Sequence, residues 1–187
     1  MQIDWIHHSG EGPDTLNLCF NALDRHVIRG RADDPAIAAD RPTSYARLVE
    51  EVAAFGGVLR AFGVGLGDTV VARLPPGRDA LVALLASTRV GAVHVLEEPT
   101  DDEETVVVPG GVVRRGGDPS PDDLDWDVVL RAGRTDPAPC AEVVAAAPAL
   151  VVDGRTLSTT EVLERSTGWP YDALATLLGG GTVELGA

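Results

Sequence analysis

The sequence predicts an α/β fold, a parallel-rich sheet flanked by helices, and three observations carry that prediction. Residues 69–96 read as strand, helix, strand with short connections, the pattern of a right-handed parallel crossover. The 187 residues suit one domain of ordinary size, and 44% hydrophobic content is enough for a core. The mixed pattern runs on to the C-terminus without an internal repeat, so residues 1–187 are read as a single domain. Aromatics make up only 4%, so Ala, Val and Leu have to fill the core.

The elements follow in order. Leu16 to Arg29 reads as a helix, because Leu16, Phe20, Leu23 and Val27 recur at three- and four-residue spacing. Pro35-Ala36-Ile37-Ala38 is short and extended, and Asp40-Arg41-Pro42 turns. Ser44 is placed to cap a helix to about Phe62, with Leu48, Val52, Phe55 and Leu59 on one face. Gly63, Gly65 and Gly67 end it and supply tight turns before a buried strand, Thr69 to Leu74. Pro75-Pro76-Gly77 breaks that strand. The helix Arg78 to Arg89 then turns Leu81, Leu84, Leu85 and Thr88 inward, and Gly91 ends it before the strand Ala92 to Leu96.

The second half is less regular. Thr105 to Val108 is a strand, the Gly- and Pro-rich stretch Pro109 to Pro121 reads as loop, and Asp122 to Leu130 as a short helix. Cys140 to Ala147 fits helix or loop. Ala149 to Val152 is a buried strand ended by Asp153-Gly154, Ser158 to Arg165 and Pro170 to Leu178 read as helices, and Thr182 to Leu185 as a last strand.

Charge narrows the function classes. The formal net charge is −14, and all fifteen basic residues are arginine. Without a lysine there is no P-loop lysine, no Schiff base and no lysine general base. Such an acidic chain is repelled by nucleic-acid phosphates and anionic membranes, which argues against both as partners. Residues 1–96 carry 11 acidic against 9 basic residues, net −2; residues 97–187 carry 18 against 6, net −12. The break is at residues 97–104, where six of eight side chains are acids. Cys19 and Cys140 stand in no metal-ligand or CxxC spacing. The start, Met1-Gln2-Ile3-Asp4-Trp5, has no signal-peptide character, and no apolar run approaches the ~20 residues of a membrane helix. A cytoplasmic protein with reduced thiols is expected.

Several residues then become recognisable. The segment Leu16-Asn17-Leu18-Cys19-Phe20-Asn21-Ala22-Leu23-Asp24-Arg25-His26 resembles the opening of AMP-forming acetyl- and propionyl-CoA synthetases, of the adenylate-forming superfamily. So do Thr43-Ser44-Tyr45-Ala46-Arg47-Leu48, Phe62-Gly63-Val64-Gly65-Leu66-Gly67-Asp68-Thr69-Val70 and Arg89-Val90-Gly91-Ala92-Val93-His94. The ordered match spans roughly 80 residues. Gly110-Gly111 to Pro121 is similar to the family's glycine- and basic-rich segment, and Pro148 to Val152 to the strand before its adenylation loop. Gly168-Trp169, Tyr171, Leu174 and Gly180-Gly181-Thr182-Val183 resemble the wall of the acyl pocket.

The resemblance implies a fold like the first N-terminal subdomain of these enzymes, with 1–96 well matched, 97–148 acidic and loop-rich, and 149–187 a remnant of the adenylation-loop and acyl-pocket region. It also implies a Gly/Ser/Thr-rich loop ending in lysine after Val152, to hold ATP phosphates. The chain instead reads Asp153-Gly154-Arg155-Thr156-Leu157-Ser158-Thr159-Thr160, with one glycine and no lysine. Either Arg155 marks a remnant phosphate site, or this is a turn followed by a Ser/Thr-capped helix, and the second reading is preferred. The family's metal, ribose and catalytic-lysine motifs come later in its order than residue 187. Where relatives carry a Gly/Phe loop after the strand ending near His94, Glu97-Glu98-Pro99 would repel the phosphates of CoA.

Single residues add little chemistry. The acids of 97–104 read as a solvated, mobile loop rather than a Ca²⁺ site, or as a docking patch for a basic partner. His7, His8 and His26 read as surface residues, and His94 as a hydrogen-bonded core residue. Ser44, Ser87 and Ser158 lack a nucleophile-elbow setting. Trp169, Tyr171 and Gly168 are the candidates for a ligand pocket, with core or interface packing the competing role for the aromatics. No catalytic residue, cofactor or metal is expected. The expected function is that of a pseudoenzyme, a non-catalytic interaction or regulatory protein that self-associates or binds another protein. A subunit of a split acyl-CoA ligase and a small carboxylate or acyl binder are the alternatives.

Overall fold

The computed structural model describes residues 15–39, 42–99, 103–117, 120–163 and 167–185. His7, His8, the Asp40-Arg41 turn, acids 101–102 and the end of the expected 158–165 helix lie outside them. The first helical segment contains a π-helical turn, Phe20–Asp24, running straight into α1, Arg25–Ile28. Strands β1 (Pro35–Ala38) and β2 (Thr43–Ser44) pair antiparallel. Ser44 caps α2 (Tyr45–Ala61), its side chain accepting from the Arg47 N–H. The expected inner face is buried: Leu48, Val52, Phe55 and Leu59 are all in the core. After α2, Gly63 at φ 80° adopts the left-handed conformation that closes a helix without a Cβ clash.

Strand β3 (Thr69–Arg73), helix α3 (Arg78–Arg89) and strand β4 (Val93–Leu96) form the expected crossover, with β3 and β4 parallel. The larger sheet has seven strands in the order β7-β6-β5-β3-β4-β8-β9. Its centre, β3, β4 and β8 (Pro148–Val152), is parallel. Antiparallel strands extend it on both sides, so the sheet is mixed. On one side β5 (Glu104–Val108) pairs with β3 and with β6 (Gly111–Gly116), and short β7 (Leu124–Asp125) follows. On the other, β9 (Arg155–Ser158) pairs with β8. The stretch 109–121 is therefore not loop throughout: Val112 and Val113 alternate with partners on β5.

Asp125 caps α4 (Trp126–Gly133) by accepting from the Val128 N–H. Helices α3 and α4 lie on the sheet, and α2 packs across both of them. Phe55 of α2 meets Trp126 of α4 with ring centroids 4.6 Å apart. Residues 140–147 form no helix. The expected helix 158–165 is represented by β9 and a 3₁₀ turn, Glu161–Leu163, whose Glu161 carboxylate accepts from both the Ser158 N–H and its hydroxyl. Helix α5 (Tyr171–Leu178) and strand β10 (Val183–Glu184) end the described chain, and β10 joins β1 in parallel to complete a three-stranded sheet. Tyr45 ties the two regions together, its hydroxyl donating to the Gly181 carbonyl at 2.8 Å.

Candidate functional site

Trp169 lines a cavity of about 310 Å³ with Asp172, Thr176, Thr182, Glu184 and Leu185. Its ring also borders a small void beside Leu74, Leu96 and His94, so it bridges cavity and core. Tyr171 packs half-buried against the core and does not line that cavity. Gly168 is exposed, its N–H donating to the Asp172 carboxylate at 2.8 Å. The cavity wall carries two acids and no cation. That electrostatic balance disfavours a carboxylate ligand there.

A second pocket, of about 460 Å³, has the opposite character. Arg78, Arg115, Arg131 and Arg134 converge on it with Glu51, Asp79 and Asp127. Arg78 pairs with buried Glu51, and Arg115 Nε donates to Asp79 at 2.5 Å. Arg131 and Arg134 form no ion pair among the described residues and stay exposed. The first turns of α3 and α4 both border this pocket, adding the positive ends of two helices. The site was not legible in the sequence, because its arginines come from three elements that only the fold brings together.

The other candidates resolve individually. Ser87 and His94 do meet, Ser87 Oγ lying 3.1 Å from His94 Nδ1. Both are inaccessible, and burial pushes His94 down to about 3, so this is a neutral core pair. His26, expected at the surface, is 4% exposed. Burial and the neighbouring Arg25 push it down to about 4, and its ring tilts against Tyr45 at 5.0 Å. The available signal was its place seven residues after Cys19 and three after Leu23, on the buried stripe of that helix. Of the acids 97–104, Glu97 is bound by Arg73 at 2.7 Å, Glu103 lies 3.6 Å from Arg114, and Glu104 opens β5. Glu97, Glu98 and Glu103 are exposed, as a solvated stretch requires, while Arg73 and Arg114 pair with two of them.

Cys19 and Cys140, read as unrelated, come together. Their sulfurs and an Asp24 carboxylate oxygen all lie within 4.8 Å of one another. Arg89 stands among them, 2.8 Å from Asp24 and 3.6 Å from the Cys19 sulfur. Where the adenylation loop is expected, β8 turns directly into β9 through Asp153 (φ 51°) and Gly154 (φ 70°), the tightest hairpin connection. Arg155 is exposed at the start of β9.

No helix among the described residues is long and apolar enough to cross a membrane. Comparison with known proteins agrees with the sequence resemblance. A family model described as AMP-binding enzyme matches residues 23–108. The mitochondrial acyl-CoA synthetase short-chain family member 3 of Rattus norvegicus is 43% identical over 88 residues, covering 43% of this chain and 13% of the relative. Acetyl-coenzyme A synthetase of Syntrophus aciditrophicus is 37% identical over 125 residues, covering 57% of this chain and 19% of the relative. The chain thus spans less than a fifth of the length of these relatives. The structure of acetoacetyl-CoA synthetase from Streptomyces lividans superposes with a TM-score of 0.67 at 20% identity, covering 98% of this chain and 42% of that one. At that identity the likeness is one of fold. The chain is acyl-CoA-synthetase-like, similar to an N-terminal part of such enzymes, and its residues 23–108 match the AMP-binding enzyme family model.

Proposed function

We propose that this chain is a non-catalytic, acyl-CoA-synthetase-like module that works by binding a protein partner. The observation that carries this reading is the two-residue turn Asp153-Gly154, standing where the resemblance calls for a phosphate-holding loop, in a chain without lysine. A hairpin that tight offers no run of free backbone N–H groups to cradle phosphates. The apolar groove of about 350 Å³ between α2 and α4, lined by Val58, Ala61, Phe62, Leu124 and Val129, supports a contact surface. Leu124 and the neighbouring Val128 stand 41% and 51% exposed, and exposed apolar area of this kind favours association. A second copy of the chain is the first occupant to test. Sedimentation across the micromolar range should show concentration-dependent association that Leu124→Glu weakens. A monomer at high micromolar concentration, with no co-purifying protein, would count heavily against the reading.

The arginine-lined pocket favours a second reading, retained binding of a small anionic acyl or carboxylate ligand. A thermal-shift series with carboxylic acids, adenine nucleotides and acyl-CoAs tests it. A shift with one ligand that disappears in Arg131→Ala/Arg134→Ala supports it, and null shifts throughout remove it. A role as one subunit of a split ligase would require ATP–pyrophosphate exchange once the complementary subunit is added.

A further inference from the structure

We propose that Cys19 and Cys140 are the two halves of a reversible intramolecular disulfide, a modification site that ties the segment 138–144 to the N-terminal helix. This segment is irregular yet held on every side. Its Ala138 N–H donates to Ala53 O, its Ala141 N–H to Arg89 O at 2.7 Å, and Leu16 N–H to Val143 O at 2.6 Å. Asn17 clamps the junction, its side-chain NH₂ donating to Thr88 O, Arg89 O and Ala141 O. The backbone therefore delivers Cys140 to Cys19 without help from the sulfurs.

Cys19 is fully buried and Cys140 is partly exposed, so a reagent reaches the pair through Cys140. Their sulfurs lie within 4.8 Å. A disulfide needs about 2 Å, so forming the bond requires the two sulfurs to move together from that separation. The same cluster with Asp24 has metal-ligand spacing, but Arg89 decides against a cation. Its guanidinium already makes two hydrogen bonds to the Asp24 carboxylate and sits beside Cys19. The chemistry left to the pair is that of a dithiol.

The oxidant class is a small-molecule disulfide such as oxidised glutathione. The Cys140 thiolate attacks one glutathione sulfur, breaking its S–S bond and releasing one glutathione thiolate. The Cys19 thiolate then attacks the Cys140 sulfur and expels the second. Two protein thiols lose two electrons and two protons, and one disulfide becomes two glutathione thiols. Arg89, 3.6 Å from the Cys19 sulfur, stabilises the negative charge carried during the second attack. Hydrogen bonding to Cys19 and burial push the Cys140 thiol up, so the attacking thiolate forms more readily, and exchange runs faster, as pH rises.

The test is equilibration of the reduced chain in glutathione buffers of rising oxidised-to-reduced ratio, followed by acid quench, intact mass and peptide mapping. The expected result is a species about 2 Da lighter than the reduced chain, yielding a cross-linked peptide that joins Cys19 to Cys140 and returning to the reduced mass with excess thiol. Cys140→Ser and Cys19→Ala should each abolish the lighter species. Retention of the reduced mass at the highest ratio, glutathione adducts without the lighter species, or disulfide-linked dimers in its place would each overturn the proposal. The wild-type mass decides the matter even where a variant fails to fold.

Discussion

Arg89 is 6% exposed and makes four contacts with three parts of the chain: two hydrogen bonds to Asp24, one to Ala138 O and one to the Cys19 sulfur. Removing it leaves the Asp24 carboxylate half-buried without a counterion, and breaking such a pair costs on the order of 3 kcal/mol. Arg89→Met should therefore lower the urea midpoint clearly, whereas Arg60→Met, on the exposed end of α2, should not move it. Two histidines supply a pH signature. Burial holds His94 at about 3, and burial with Arg25 holds His26 at about 4, whereas an unfolded imidazole titrates near 6.5. The unfolded chain thus takes up protons that the folded chain refuses. Stability from these residues is complete above about pH 6.5 and falls as pH drops toward the folded values, by up to about 1.4 kcal/mol per pH unit for each histidine. Urea unfolding followed from pH 7 to pH 4.5 should lose roughly one proton's worth of slope in His94→Gln and again in His26→Gln. Unchanged slopes would show that neither imidazole is held neutral.

At the scale of elements, the packing of α2 on α4 rests on absent side chains. A methyl on Gly57 would collide with the Asp136 carbonyl oxygen, and one on Gly133 with the Ala54 carbonyl oxygen. Helix propensity alone says Gly57→Ala gains about 1 kcal/mol. Collision with the backbone has the larger magnitude, so we expect a loss on the order of 2 kcal/mol and slackened contact between Phe55 and Trp126. A stabilised variant in chemical denaturation would refute the close-packing argument. Ser44→Ala should cost about 1 kcal/mol through the lost cap. These elements also show what sequence can disclose. Helices α2 and α3 were legible because Leu48, Val52, Phe55, Leu59 and Leu81, Leu84, Leu85 repeat with the helical period on one buried face. Strand β6 was not, because Gly110-Gly111 and Gly116-Gly117 bracket only four residues and read as loop. Its identity comes from pairing with β5, a long-range condition. Trp169 was singled out by resemblance, and the structure places it on the wall of a cavity. The acids that line it, Asp172 and Glu184, come from α5 and β10 and converge only in the folded chain.

Across the whole molecule, the charge of −14 is distributed rather than uniform. Most of the described arginines are committed to acids, as in Arg47 with Glu50, Arg73 with Glu97, Arg89 with Asp24 and Arg114 with Asp123. Arg131 and Arg134 are not, and they face one pocket beside the amino ends of α3 and α4. Self-repulsion in so acidic a chain weakens the compact state, so moderate salt should raise the thermal midpoint by screening it. A midpoint that falls between low and physiological salt would mean that the arginine–carboxylate pairs outweigh the repulsion. The likeness to acyl-CoA synthetases holds in the fold and in the sequence of residues 23–108, and on the function proposed above the tight β8–β9 hairpin leaves no phosphate-holding loop. Adenylation is thus the activity that a non-catalytic module must lack. The direct measurement is ATP–pyrophosphate exchange by the purified chain with magnesium and a panel of short carboxylic acids. No exchange above background is expected with any of them, and exchange that scales with the concentration of this chain would overturn the non-catalytic reading.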